Sequence, residues 1–112
     1  MEKLEKYQKI LTAFVEEYAK APFSVQKDLE NQAITDTIHN HFQVVTIGWD
    51  KGTFVYNPVF HFDIRDGKIW IQQNWTELSV VEELMAKGVE KQDIVLGFVP
   101  PYARIHTGFA AA

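Results

Sequence analysis

A chain of 112 residues with 46% hydrophobic and 23% charged side chains holds enough apolar mass for one core, which excludes intrinsic disorder and fibrous repeats. Eleven basic against fifteen acidic residues give a net charge of −4, so no surplus of cations exists to neutralise nucleic-acid phosphates, and direct DNA binding is disfavoured. The absence of cysteine removes disulfides, thiolate metal ligands and a cysteine nucleophile, and suits a reducing compartment.

From Glu2 to Lys20, Leu4, Tyr7, Leu11, Phe14 and Tyr18 recur at spacings of three and four, with Ile10 and Val15 widening the stripe. This is the pattern of an amphipathic helix packed on a sheet, and Pro22 ends it. The charged start of the chain lacks an apolar signal core, and no later run reaches the ~18 apolar residues of a membrane span, so a cytoplasmic protein without an anchor is expected.

The polar segment Ala21 to Gln32 reads as a connecting loop. Four strands are predicted after it: Ala33 to Ile38, Phe42 to Trp49, Thr53 to Arg65 and Lys68 to Asn74, rich in β-branched and aromatic residues. His39-Asn40, Asp50-Lys51-Gly52 and Asp66-Gly67 supply turn chemistry, the last being the pair a type I′ turn prefers. The expectation is a four-stranded antiparallel meander. A two-residue turn at Asp66-Gly67 sets Arg65 against Lys68 and Phe62 against Ile71. Phe60, Phe62, Ile64, Ile69 and Ile71 then form a core face, and His61, Asp63, Arg65, Lys68, Trp70 and Gln72 a polar one. Pro58 cannot donate to a ladder, so it marks an edge or a bulge.

A second helix is predicted from Glu77 or Val80 to Lys87, capped by Thr76 or by Ser79 with Glu82, and stopped at Gly88. Val80, Val81, Leu84 and Met85 form its inner side. The stretch Glu90 to Asp93 reads as solvated, Ile94 to Val99 as a short apolar run, and Tyr102 to Ala112 as a C-terminal extension wrapping the sheet or a partner. The fold class expected is α+β, in a single domain over residues 1–112.

Motifs for chemistry are sparse. His39-x-His41 could seed a metal site, but a zinc centre needs at least three protein ligands, so no metal is expected. His61 and Asp63 alternate on one strand face and could pair an imidazole with a carboxylate for acid/base work; alternating polar residues also mark the wet side of a half-exposed sheet. No Walker loop, nucleophile elbow, H-E-x-x-H helix or G-x-G-x-x-G turn occurs. Trp49, Trp70 and Trp75 read as core or sheet-surface fillers with no basic cluster around them, which weighs against a base-stacking platform. No catalytic residue and no cofactor are therefore expected. After the rigid Pro100-Pro101, the tail residues Tyr102, Arg104, His106 and Phe109 are candidates for a partner interface, the Arg and aromatics being typical anchors, or for closing the domain's own core.

The run Asp63-Ile64-Arg65-Asp66-Gly67-Lys68-Ile69-Trp70-Ile71-Gln72-Gln73-Asn74 with Thr76-Glu77 resembles the central signature of the XisI family, the fdxN element excision controlling factors. Gly88-Val89, Asp93 to Phe98, and Pro100-Pro101-Tyr102 followed by Arg104, Thr107, Phe109 and Ala110 are similar to the family's C-terminal pattern. Leu4-Glu5, Tyr7, Glu17-Tyr18-Ala19, Asp36-Thr37, His41, Gln43-Val44 and Gly48-Trp49 also fit. The resemblance implies a cyanobacterial-type accessory protein, active in the heterocyst programme of site-specific DNA excision, that works with a recombinase and an XisH-like partner. It implies no catalytic residue. The alternatives are a DNA-binding recombination directionality factor and a small-molecule-binding or hydrolytic domain using His61 and Asp63; self-association of the chain is a further expectation.

Overall fold

The computed structural model describes residues 2–20, 28–74 and 79–112. Helix α1 (Lys3–Ala19) buries Tyr7, Leu11, Phe14 and Val15 along the predicted stripe. Leu4 departs from it and lies 41% exposed. Strands β1 (Leu29–Asp36), β2 (His41–Asp50), β3 (Thr53–Arg65) and β4 (Lys68–Asn74) form the expected antiparallel meander.

Strand β1 corrects the sequence reading at both ends. It begins four residues earlier than Ala33, since Leu29 pairs with Gly48, and it stops at Asp36, leaving Ile38 83% exposed in the turn. The polarity of Leu29–Gln32 hid an edge strand with half of its side chains in solvent. Asp36 stops the strand by accepting hydrogen bonds from the Ile38 and His39 amides, an Asx-type turn. At Gly48, φ is +141° and a Cβ would collide with the Asp28 carbonyl, so only glycine lets β1 start here.

Asp66-Gly67 is the predicted turn, with φ of 51° and 75°, and Arg65 pairs with Lys68 and Phe62 with Ile71. Pro58 sits at a bulge in the body of the sheet. Val45 faces Pro58 and Val44 faces Phe60, so Val59 is the extra residue. A second bulge leaves Gln72 unpaired between Ile71 and Gln73.

The core lies between one sheet face and the helices. Phe60, Phe62, Ile64, Ile69 and Ile71 are buried as predicted, and Phe14 meets Phe60 and Phe62 edge-on at centroid distances of 5.4 and 5.7 Å. Each such pair contributes about 0.5–1.5 kcal/mol beyond its buried area. Helix α2 (Val80–Ala86) adds Val80 and Leu84 to the same cluster. Ser79 stands at its N-cap without a side-chain capping bond, and the alternative start at Thr76-Glu77 lies outside the described residues. Gly88, with φ of +110°, ends it, and Val89 folds back into the core.

The sheet has five strands rather than four. Strand β5 (Ile94–Leu96) pairs parallel to β4, with Ile69 beside Ile94 and Ile71 beside Leu96. A parallel neighbour requires a crossover, and α2 supplies it. The first half of the short apolar run Ile94 to Val99, to which the sequence alone assigns no element, is thus a strand with Ile94 and Val95 buried. Beyond it, a 3-10 helix (Pro101–His106) carries the tail back until Ala110 bridges Val95 and its amide donates to the Ile94 carbonyl. No helix of the described residues is long and apolar enough to cross a membrane.

Candidate functional site

The sheet face away from the helices carries the polar residues singled out in the sequence, with one correction. Asp63 is not on a wet surface: it is 4% exposed. The Val59 bulge is the cause. It shifts the β2–β3 register by one residue, so that His41 faces Asp63 and Gln43 faces His61 on this side while Phe42 faces Phe62 on the other.

Four donors converge on the buried carboxylate. His41 Nδ1 lies 2.7 Å and His61 Nε2 2.9 Å from Oδ1; Arg65 Nη2 lies 3.2 Å and Gln72 Nε2 3.3 Å from Oδ2. The Gln43 amide nitrogen stands 2.9 Å from His61 Nδ1. That nitrogen can only donate, so Nδ1 accepts and the Nε2 proton points at Asp63. Burial alone would raise the Asp63 pKa. Hydrogen bonds from His41, His61 and the Gln72 amide outweigh it and hold the carboxyl below the usual range.

Next to the cluster, Trp70 corrects a second expectation, since it has two basic neighbours. The Arg65 guanidinium lies 5.2 Å and that of Arg104 5.0 Å from its ring centroid. Arg65 is close in sequence and across the hairpin; Arg104 arrives only because the tail folds back, which spacing does not reveal. Arg104 also donates to the carbonyls of Val99 at 3.0 Å and Gly97 at 3.2 Å, so it fastens the tail to the sheet. Its tail neighbours divide: Phe109 is half-buried beneath Lys91, whereas His106 is exposed and Tyr102 and Ile105 are 81% and 70% exposed, with Phe98 nearby at 58%. The tail therefore closes the domain through Arg104 and Phe109 and displays Phe98, Tyr102 and Ile105. Trp75 lies outside the described residues.

His39 does not join the cluster. Its Nδ1 bonds Asp36 at 2.8 Å in the β1–β2 turn, while its ring stacks on His41 at a centroid distance of 6.5 Å. The grouping that sequence reading missed is His41 with His61 and Asp63; Pro58, as a bulge marker, was the available signal. Three surface depressions are lined by Phe14, Glu17, Tyr18, Glu83 and Lys87, by Lys91, Gln92 and Gly108 to Ala110, and by Gln72 to Asn74 with Phe98. None of these three reaches His61 or Asp63.

An α1 helix and α2 on one face of a meander, a parallel fifth strand and a returning tail define an α+β protein of the XisI class. The XisI protein family model matches residues 1–111, and the chain belongs to that family. It is similar to the crystal structure of a XisI-like protein from Anabaena variabilis ATCC 29413, at 44% identity and a TM-score of 0.91, covering 97% of this chain and 99% of the other. It is also similar to the fdxN element excision controlling factor XisI from Anabaena variabilis ATCC 29413, at 30% identity and a TM-score of 0.84, covering 99% of this chain and 100% of the other. No curated protein matches it.

Proposed function

We propose that the chain is a non-enzymatic controlling factor in developmentally regulated, site-specific excision of a DNA element, acting in the cytoplasm through an XisH-like protein rather than by gripping DNA itself. The observation that carries this reading is the 30% identity, over 99% of this chain and 100% of the other, to a protein named as an fdxN element excision controlling factor. Two physical features support it. The best acid/base candidate, Asp63, directs both oxygens at four donors of its own chain, an arrangement suited to fixing strands together. Phe98, Tyr102 and Ile105 meanwhile stand in solvent on a tail fastened by Arg104, where aromatic anchors serve an interface.

Co-expression with an XisH-like protein of the same host tests the reading. A complex should form, and the Tyr102→Ala, Ile105→Ala double variant should weaken it by about 1–3 kcal/mol while remaining folded. Failure to co-purify would remove the partner from the proposal. A DNA-binding directionality factor is the second reading, favoured by the placement of Arg65 and Arg104 around Trp70, a pairing that can hold unstacked bases. A gel shift separates the two: sub-micromolar DNA binding with a steep salt dependence supports the second reading, and its absence at a net charge of −4 is the outcome the first requires.

A further inference from the structure

We propose that His41, His61 and Asp63 form a binding site for a divalent first-row transition metal ion such as zinc. One imidazole nitrogen of each histidine and one carboxylate oxygen lie within 4.8 Å of one another, and His41 Nδ1 and His61 Nε2 stand 2.7 and 2.9 Å from Asp63 Oδ1. This two-histidine, one-carboxylate set is a donor combination for Zn²⁺ and for Fe²⁺-like ions, whereas Mg²⁺ and Ca²⁺ prefer oxygen donors throughout.

The strand pairing builds the set. His41 and Asp63 are direct cross-strand partners and His61 stands two residues before Asp63 on the same face, so the three are aimed together by backbone register rather than by chance side-chain contact. Asp63 is further oriented for the role. Arg65 and Gln72 hold Oδ2, which turns Oδ1 toward the two imidazoles. His61 also has the supporting bond that metal-bound histidines use, because Gln43 lies 2.9 Å from the ring nitrogen that faces away from Asp63. Metal on Nε2 would move the proton to Nδ1, and rotation of the Gln43 amide would present its oxygen to accept it.

The fit needs only a small opening. With metal bonds of about 2.0–2.2 Å in tetrahedral geometry, neighbouring donors stand roughly 3.4 Å apart, so His41 Nδ1 and His61 Nε2 would move from Asp63 Oδ1 by roughly 0.7 and 0.5 Å. The His41 side chain, 54% exposed, has the freedom to move by that amount. Its exposure also sets the ion at the edge of the sheet face, with a remaining coordination position toward solvent. Arg65 places a positive charge near the ion; of the carboxylate it contacts only Oδ2, its side chain is 55% exposed, and its guanidinium lies toward the Trp70 ring.

The test is titration of the purified, untagged full chain with zinc chloride by calorimetry, and with cobalt(II) chloride by visible absorption. The expected result is one ion per chain, with cobalt bands of a low-coordinate nitrogen and oxygen site. His41→Gln and His61→Gln should each weaken binding about tenfold or more, while His39→Gln should leave it unchanged. Because Asp63→Asn could unfold the chain, the exposed His41 position carries the decision, with circular dichroism as control. Absence of saturable one-to-one binding by either ion overturns the proposal. So does binding that survives both His41→Gln and His61→Gln, or that depends on His39 as strongly as on His41.

Discussion

Tyr7 and Asp93 lie 86 residues apart in the chain, yet the tyrosine hydroxyl donates to Asp93 Oδ2 at 2.6 Å in the buried interior. The segment Glu90 to Asp93 is therefore not uniformly solvated: Asp93 is 4% exposed and also binds Lys3 Nζ at 3.1 Å. The same hydroxyl accepts from the Glu90 amide at 3.3 Å, so one side chain ties α1 to the entrance of β5. Tyr7→Phe leaves the ring in place and strips Asp93 of its buried donor. A loss of about 1–3 kcal/mol in urea unfolding is expected, with undiminished stability as the contrary result.

The pH dependence of stability follows from the same groups. Burial works to raise the Asp93 carboxyl, but hydrogen bonds from Tyr7 and Lys3 and the charges of Lys3 and Lys68 hold it below the usual range, as His41 and His61 do for Asp63. The unfolded chain, whose aspartates titrate near ~3.9, then binds these protons more readily than the folded one. Their stabilisation is complete above that value and is lost as pH falls through the folded pKa values. Tyr7 has the opposite sign. Burial, with the Asp93 hydrogen bond, pushes its pKa from 10.0 up to about 12, so its contribution is intact below pH 10.0 and declines as pH rises toward about 12. Urea midpoints measured across both ranges should fall at each end, and Tyr7→Phe should flatten the alkaline decline.

Deletion of Val59 should leave the pairing of the two strands intact. The bulge at this residue lets Asp50 face Thr53 at one end of the hairpin and His41 face Asp63 at the other. Removing the extra residue makes the ladder continuous, with Val45 still opposite Pro58, Val44 opposite Phe60 and His41 opposite Asp63, so the core and polar faces keep their side chains. Val59→Ala and the deletion should therefore both keep a cooperative thermal transition, at a cost of about 1–3 kcal/mol for the lost packing against the core. Loss of the cooperative transition on deletion alone would show that the bend of the bulge, and not only its register, is required.

Arg104→Ala should loosen the tail rather than the core. The guanidinium bonds two carbonyls and covers Trp70, and its loss leaves Val99 and Gly97 with fewer partners. Hydrogen exchange should accelerate over residues 97–110 while the amides of β2 and β3 keep their protection. Uniform acceleration across the chain would instead make Arg104 part of the global folding unit.

Local signals were sufficient for much of this architecture. Asp66-Gly67 fixed a hairpin register, and with it the core assignment of Phe62 and Ile71, because turn chemistry and strand alternation act over a few residues. The limits of β1 were obscured because an edge strand needs few apolar residues. Strand β5 was obscured because three apolar residues gain strand character only from a neighbour supplied by the crossover. The polar cluster was half legible. His61 and Asp63 are adjacent in the alternation, but His41 and the burial of Asp63 depend on a one-residue offset that Pro58 could announce without giving its direction.

The placement of Asp93 has a consequence for the chain as it is synthesised. Helix α1 leaves the ribosome before the sheet, but its buried hydroxyl is matched only when residue 93 emerges, and Ala110, which flanks β5, follows later still. Until then the nascent chain can assemble the meander while keeping the outer edge of β4 unpaired, since its neighbour β5 is supplied from beyond α2. The interval between the synthesis of β4 and that of β5 is therefore the period in which one chain's open β4 edge is exposed to strands from other chains.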